Sequence, residues 1–137
     1  MLSKQLQVYR AKGEKAIKIL LVDDQPTVRR GLRMRLALEP DVTVVGEAGS
    51  GEEAIRLARA LRPDVVLMDV RIAGMDGIEA TAALRAVAPE SSIVILSLYD
   101  DARTKTRAKE AGAAAFVAKH RKKEELLDAI RQAAIRK

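Results

Sequence analysis

A doubly wound α/β sheet of five parallel strands is the fold this sequence predicts. Short apolar, β-branched runs alternate with longer amphipathic stretches five times along the chain, the pattern of parallel strands joined by helical crossovers. Three of the runs are apolar almost throughout, as strands covered on both faces must be. With 137 residues, 48% of them apolar, the chain makes one domain and can fill one core.

The first strand is Ile17-Lys18-Ile19-Leu20-Leu21-Val22, followed by the acidic pair Asp23-Asp24. Pro26 near the start of the first helix suits a position whose N–H has no intrahelical partner. That helix offers Val28, Leu32, Leu36 and Leu38 to the core and leaves Arg29, Arg30, Arg33 and Arg35 as a solvated face. Val42 to Ala48 reads as the second strand. Ser50, with Glu53 three residues later, forms a capping box for the second helix, and Pro63 after Arg62 stops it. The third strand spans Asp64 to Asp69, the fourth Ser92 to Ser97 and the fifth Ala114 to Ala118. The fourth helix, residues 100–111, contains no large aliphatic side chain; it is expected to be weakly held, either mobile or completed by a partner. The last helix, from about Lys122 to Arg136, turns Leu126, Leu127, Ile130 and Ala134 inward and ends in basic residues that suit its dipole. Five such units fit the flavodoxin-like strand order 2-1-3-4-5, in which strands one and three are neighbours. Residues 17–137 form the domain, and 1–16 are an N-terminal extension: a frayed end, a short helix with Leu2, Leu6 and Tyr9 on one face, or a cloning remnant.

Composition narrows the function. The absence of cysteine removes disulfides, thiolate zinc sites and cysteine nucleophiles. No apolar stretch approaches the roughly 20 residues a membrane span needs, and the N-terminus has no signal-peptide centre, so a cytoplasmic protein is expected. The net charge of +6 sits at the ends: +3 in residues 1–15, +4 in 119–137 and −1 in between. With 2% aromatic residues there is little on which bases could stack, which argues against direct nucleic-acid binding.

The strand ends carry the chemistry. In the expected order Asp23, Asp24 and Asp69 meet at the carboxyl edge of the sheet, beside the crevice where doubly wound proteins bind ligands. A lone strand-end Asp is usually a helix cap or turn former. Three in one crevice point instead to a cation, and their hard oxygens, with no Cys or His nearby, favour Mg²⁺ or Mn²⁺. Ser97 and Lys119 close the fourth and fifth strands. Singly they are a turn residue and a surface lysine. Together with the carboxylates they make a phosphoryl-transfer site, in which a carboxylate kept ionised beside the cation and the lysine is suited to act as a nucleophile on phosphorus and the hydroxyl and ammonium bind phosphoryl oxygens.

Leu21-Val22-Asp23-Asp24-Gln25-Pro26, Leu67-Met68-Asp69-Val70-Arg71, Gly74-Met75-Asp76-Gly77, Ser97 and Phe116-Val117-Ala118-Lys119 stand in order and at proper spacing. In these motifs the chain resembles the response regulator receiver domain of bacterial two-component signalling, over about residues 17–135. The resemblance implies that Asp69 takes a phosphoryl group from a histidine kinase or phosphotransfer protein, the domain promoting only its own phosphorylation and dephosphorylation. It implies Mg²⁺ held by Asp23, Asp24, Asp69 and the backbone carbonyl at Arg71, and Lys119 paired with the phosphate. It also implies a switch, Ser97 moving to the phosphoryl group and Phe116 turning inward behind it, with a homodimer formed on phosphorylation and transcription as the regulated output. Read by itself, Phe116 is equally a core aromatic.

Two departures stand out. Ala73 replaces the usual Pro before Gly74, freeing the loop after Asp69, and His120 replaces the Pro that often follows the lysine. The second is similar to the branch whose receivers precede a C-terminal helix-turn-helix; none lies within these 137 residues. A magnesium-dependent aspartyl phosphatase would need a second Asp where Arg71 stands, and a nucleotide or flavin binder would need a Gly-rich loop after the first strand. The alternative is a receiver-like interaction scaffold that phosphorylation does not regulate.

Overall fold

The computed structural model describes residues 16–72, 74–98, 101–119 and 122–135; the expectations placed on 1–15, Ala73 and His120 lie outside the described residues. Its elements are β1 (Ile17–Val22), α1 (Pro26–Leu36), β2 (Val42–Ala48), α2 (Gly51–Leu61), β3 (Val65–Asp69), β4 (Arg71–Ile72), β5 (Met75–Asp76), α3 (Gly77–Val87), β6 (Ser92–Ser97), α4 (Ala102–Glu110), β7 (Ala115–Ala118) and α5 (Lys123–Ile135). The main sheet is parallel, in the order β2-β1-β3-β6-β7, which is the 2-1-3-4-5 order expected. The strand limits fall within one residue of those expected, because each strand is bounded by turn formers or charge.

Strand alternation divides the core. Leu20, Val22, Val66, Met68, Ile93 and Ile95 face α2, α3 and Ala108 of α4. Ile19, Leu21, Val65, Leu67, Val94 and Leu96 face α1 and α5. The pairing of β1 with β2 shifts register once: Ile19 faces Val44 but Leu20 faces Gly46, leaving Val45 over. Two buried hydroxyls at the start of β6 are satisfied by carbonyls, Ser91 Oγ donating to Pro63 O at 2.6 Å and Ser92 Oγ to Ala133 O at 2.9 Å. The second of these ties β6 to α5.

Helix signals act where the sequence places them. Ser50 Oγ accepts from Glu53 N at 3.2 Å, and Glu53 Oε1 reaches back to Gly49 N at 2.8 Å. Arg62 closes α2 in the left-handed region with φ 49°, just before Pro63. The apolar-poor α4 is capped by Asp101, which accepts from Thr104 N at 2.7 Å, and its buried residue is Ala108. Two expectations are corrected. Leu38 is 73% exposed, because α1 ends at Leu36 and two further residues put it out of phase with Val28, Leu32 and Leu36. Arg29 is turned in rather than solvated, with 17% of its side chain exposed. On α5, Leu126, Leu127 and Ile130 are buried and Ala134 packs partly buried against the same core, as expected, with Ala133 buried beside them.

Candidate functional site

Adjacency of β1 and β3 brings Asp23 and Asp69 to one edge, and β6 and β7 add Ser97 and Lys119. Asp23 follows β1, its N–H extending the ladder to Ala48 O at 3.0 Å. Its carboxylate is 4% exposed, and Oδ1 accepts from Gln25 N at 2.9 Å. Asp69 ends β3, and its Oδ1 accepts from Arg71 N at 3.2 Å. Lys119 Nζ bridges the two, 2.9 Å from Asp69 Oδ2 and 3.5 Å from Asp23 Oδ2. Its backbone N–H donates to Ser97 O at 2.7 Å, fixing the start of the lysine against the end of β6. Ser97 itself is buried there.

The electrostatics follow from this crowding. Burial, chiefly, holds the Asp23 carboxyl above the usual carboxylate range, and the neighbouring Asp69 adds to it; the Gln25 N–H and the Lys119 ammonium pull the other way. For Lys119 burial disfavours the charge, but the Asp69 and Asp23 carboxylates outweigh it and hold the ammonium above the ordinary lysine value. Two carboxylates therefore share one fixed cation.

The response regulator receiver domain matches residues 19–131 as a family. The chain belongs to the response regulator receiver family. This receiver is 43% identical to the uncharacterised transcriptional regulatory protein YxjL of Bacillus subtilis over 86% of the chain and 54% of the relative. It is 40% identical to the nitrate/nitrite response regulator NarL of Escherichia coli K12, over 85% and 54%. The chain thus spans about half the length of the curated relatives it matches. A LuxR-family two-component response regulator from Aurantimonas superposes with a TM-score of 0.85 at 37% identity, covering 89% of this chain and 87% of that one. The response regulator domain of Thermotoga maritima CheB does so at 0.80 and 32%, covering 88% and 97%. The relatives lie in the NarL and LuxR branch, in keeping with the branch expected from His120.

Receivers generally bind Mg²⁺ at their acidic site, and this one offers a fitting donor set. Asp23 and Asp69 press together around a single ammonium, and a cavity of about 530 Å³ lined by Asp24, Asp69, Arg71 and Lys119 opens beside them. Mg²⁺ is commonly held by one or two carboxylates and several waters. Among the described residues no group of three His, Cys, Asp or Glu side chains stands ready-made around a metal position. Asp24 is exposed at the rim, because successive residues leaving a strand point to opposite sides. Phe116 is half-buried against the core on the α4 side, with Lys105 Nζ 6.0 Å from its ring centre and cavities of about 470 and 380 Å³ flanking it.

Sequence reasoning missed how tightly the receiver's loop after β3 is constrained. β4 and β5 pair antiparallel around Gly74, whose φ is +79°. Asp76 Oδ1 then caps α3 by accepting from Ile78 N at 2.7 Å. Gly77 lies so close to β3 that a Cβ there would meet Asp69 O at 2.1 Å. The Gly74-Met75-Asp76-Gly77 motif carried the signal, but its packing against Asp69 is tertiary. Arg29 was also missed, since it reads as one arginine among several.

Proposed function

We propose that this receiver accepts a phosphoryl group on Asp69 from the phosphohistidine of a histidine kinase or phosphotransfer protein in the cytoplasm. The observation that carries this is the Lys119 ammonium, 2.9 Å from Asp69 and 3.5 Å from Asp23 at the edge where four strands end. An Asp69 carboxylate oxygen forms the new P–O bond as the P–N bond of the donor breaks, and the histidine keeps the electron pair. Lys119 neutralises a phosphoryl oxygen, and the Ser97 hydroxyl, released from its resting environment, donates to another. Asp23, Asp69, the rim carboxylate of Asp24 and the Arg71 carbonyl would hold Mg²⁺ or Mn²⁺, which would supply charge neutralisation at phosphorus when bound. The Ser97 movement leaves space into which Phe116 turns, changing the surface of α4 and β7. Residues 17–137 make up this phosphoacceptor unit, and a homodimer formed on phosphorylation, with transcription as the output, fits the relatives it matches. Incubation with Mg²⁺ and acetyl phosphate, followed by intact mass, tests the reading. One labile adduct, lost in Asp69→Asn, is the expected result. No adduct under forcing donor would favour an unphosphorylated scaffold, and rapid turnover of varied phosphomonoesters would favour a phosphatase.

A further inference from the structure

The end of β1 is gripped from behind by a side chain outside the acidic cluster. Arg29, on the first turn of α1, donates from Nη1 to the Asp23 carbonyl oxygen at 2.5 Å. Its Nε donates to Glu47 Oε1 at 3.1 Å. Glu47 lies on β2 opposite Leu21 and also takes the guanidinium of Arg33 on its other oxygen. Glu47 is 25% exposed. A guanidinium with fixed, divergent donors can hold a carbonyl and a carboxylate at once, which a lysine cannot do with the same geometry. The carbonyl it holds belongs to the peptide plane linking Asp23 to Asp24. Rotation of that plane redirects both side chains.

We infer that Arg29, oriented by Glu47, is a positioning residue for divalent-cation binding: it fixes the Asp23–Asp24 peptide plane and thereby aims both carboxylates at the cation. The inference rests on the receiver reading of the site. Asp23 is held at four points, by Ala48 O on its N–H, by Gln25 N and Lys119 Nζ on its carboxylate and by Arg29 on its carbonyl. Of these, Arg29 alone is a side chain outside the acidic cluster and its lysine, so mutation can remove it while leaving the carboxylates and Lys119 in place. Groups that orient metal ligands in this way typically contribute tenfold or more to affinity.

The test is a calorimetric Mg²⁺ titration of the whole chain, wild type against Arg29→Gln, Arg29→Lys and Glu47→Gln, with a urea melt of each. Arg29→Gln is expected to weaken Mg²⁺ binding about tenfold and to raise half-saturating Mg²⁺ for acetyl phosphate by the same factor, with the Mg²⁺-saturated rate nearly unchanged. Arg29→Lys and Glu47→Gln should fall between it and wild type. A merely structural brace would lower the urea midpoint and leave Mg²⁺ affinity alone; that result overturns the inference. If Arg29→Gln does not fold, Glu47→Gln decides by the same criterion. Wild type that binds no Mg²⁺ and takes no phosphoryl group overturns the receiver reading and this inference with it. Wild type that does both, beside an Arg29→Gln variant of equal Mg²⁺ affinity, overturns the inference alone.

Discussion

Replacing Gly77 with alanine is expected to damage the acidic edge without altering any charged group. A methyl carbon at this position would lie 2.1 Å from Asp69 O, 2.8 Å from Val70 Cα and 2.8 Å from Val70 O. Ordinary carbon–oxygen approach is about 3.3 Å, so the backbone at Asp69 or the start of α3 must retreat by about 1 Å. No flexible side chain is there to give way. Overpacking of this kind costs about 1–3 kcal/mol, and the helix-propensity gain of alanine over glycine returns at most about 1 kcal/mol. A net loss of about 1–2 kcal/mol should lower the melting temperature by roughly 4–8 °C in a domain of this size. A 1 Å displacement of the acceptor can slow transfer about 100-fold, read as the pseudo-first-order rate of adduct formation with acetyl phosphate. Gly31→Ala is the control. Nothing lies within 4 Å of a Cβ there, and it should stabilise α1 by about 0.5–1 kcal/mol. Wild-type melting and wild-type phosphorylation in Gly77→Ala would refute the close-approach reasoning.

Three further outcomes follow from the geometry. Lys119→Met leaves Asp23 and Asp69 without their shared ammonium; the acetyl phosphate rate should fall about 100- to 1000-fold, while Mg²⁺ still binds in calorimetry. The Arg131 guanidinium, 2.7 Å from Asp41 Oδ2, holds that carboxyl below its ordinary value of 3.8. The stability this contributes is full above the unfolded value and is lost as pH falls through the lowered folded value, so urea midpoints of wild type and Arg131→Met should converge between about pH 5 and pH 2. Both side chains are more than a third exposed, so their separation at neutral pH should be a surface pair's, about 1 kcal/mol or less. In hydrogen exchange, α4 amides should exchange faster than those of α2, since Ala108 is its buried residue while α2 buries Gly51, Ala54 and Ala58. Asp101→Ala, removing the cap on Thr104 N, should accelerate α4 further; equal protection of the two helices would contradict this account.

The fold was legible because three of the five strands are almost wholly apolar runs and four of the five end at Asp, Ser or Lys, and strand order places those ends together. Asp23, Asp69, Ser97 and Lys119 were therefore readable from position alone. Asp24 lines the same cavity as Asp69 and Lys119, but its place at the exposed rim was not readable, because sequence adjacency to Asp23 says nothing about which side of the strand end it takes. Leu38 misled because its apolarity matches the helix composition while its phase does not. Arg29 and Glu47 are 18 residues apart and ordinary in type, so only the packing of α1 against β2 makes them a pair. The contact of Gly77 with Asp69 is invisible for the same reason.

The one-residue excess in β2 sets a parity. Val42 and Val44 pack with the α1 and α5 side, whereas Gly46 sits under Leu61 of α2 and Ala48 joins the α2 and α3 side. The unmatched Val45 makes that inversion, and it is why Glu47 emerges toward Arg29. Deleting one residue between Val44 and Gly46 would restore strict alternation. Glu47 would then keep its side and its contact with Arg29; losing the bulge at unchanged length is what would turn Glu47 to the α2 face, without a single change at the acidic edge itself. The bulge in this strand is thus as much a determinant of the acidic edge as any residue in it.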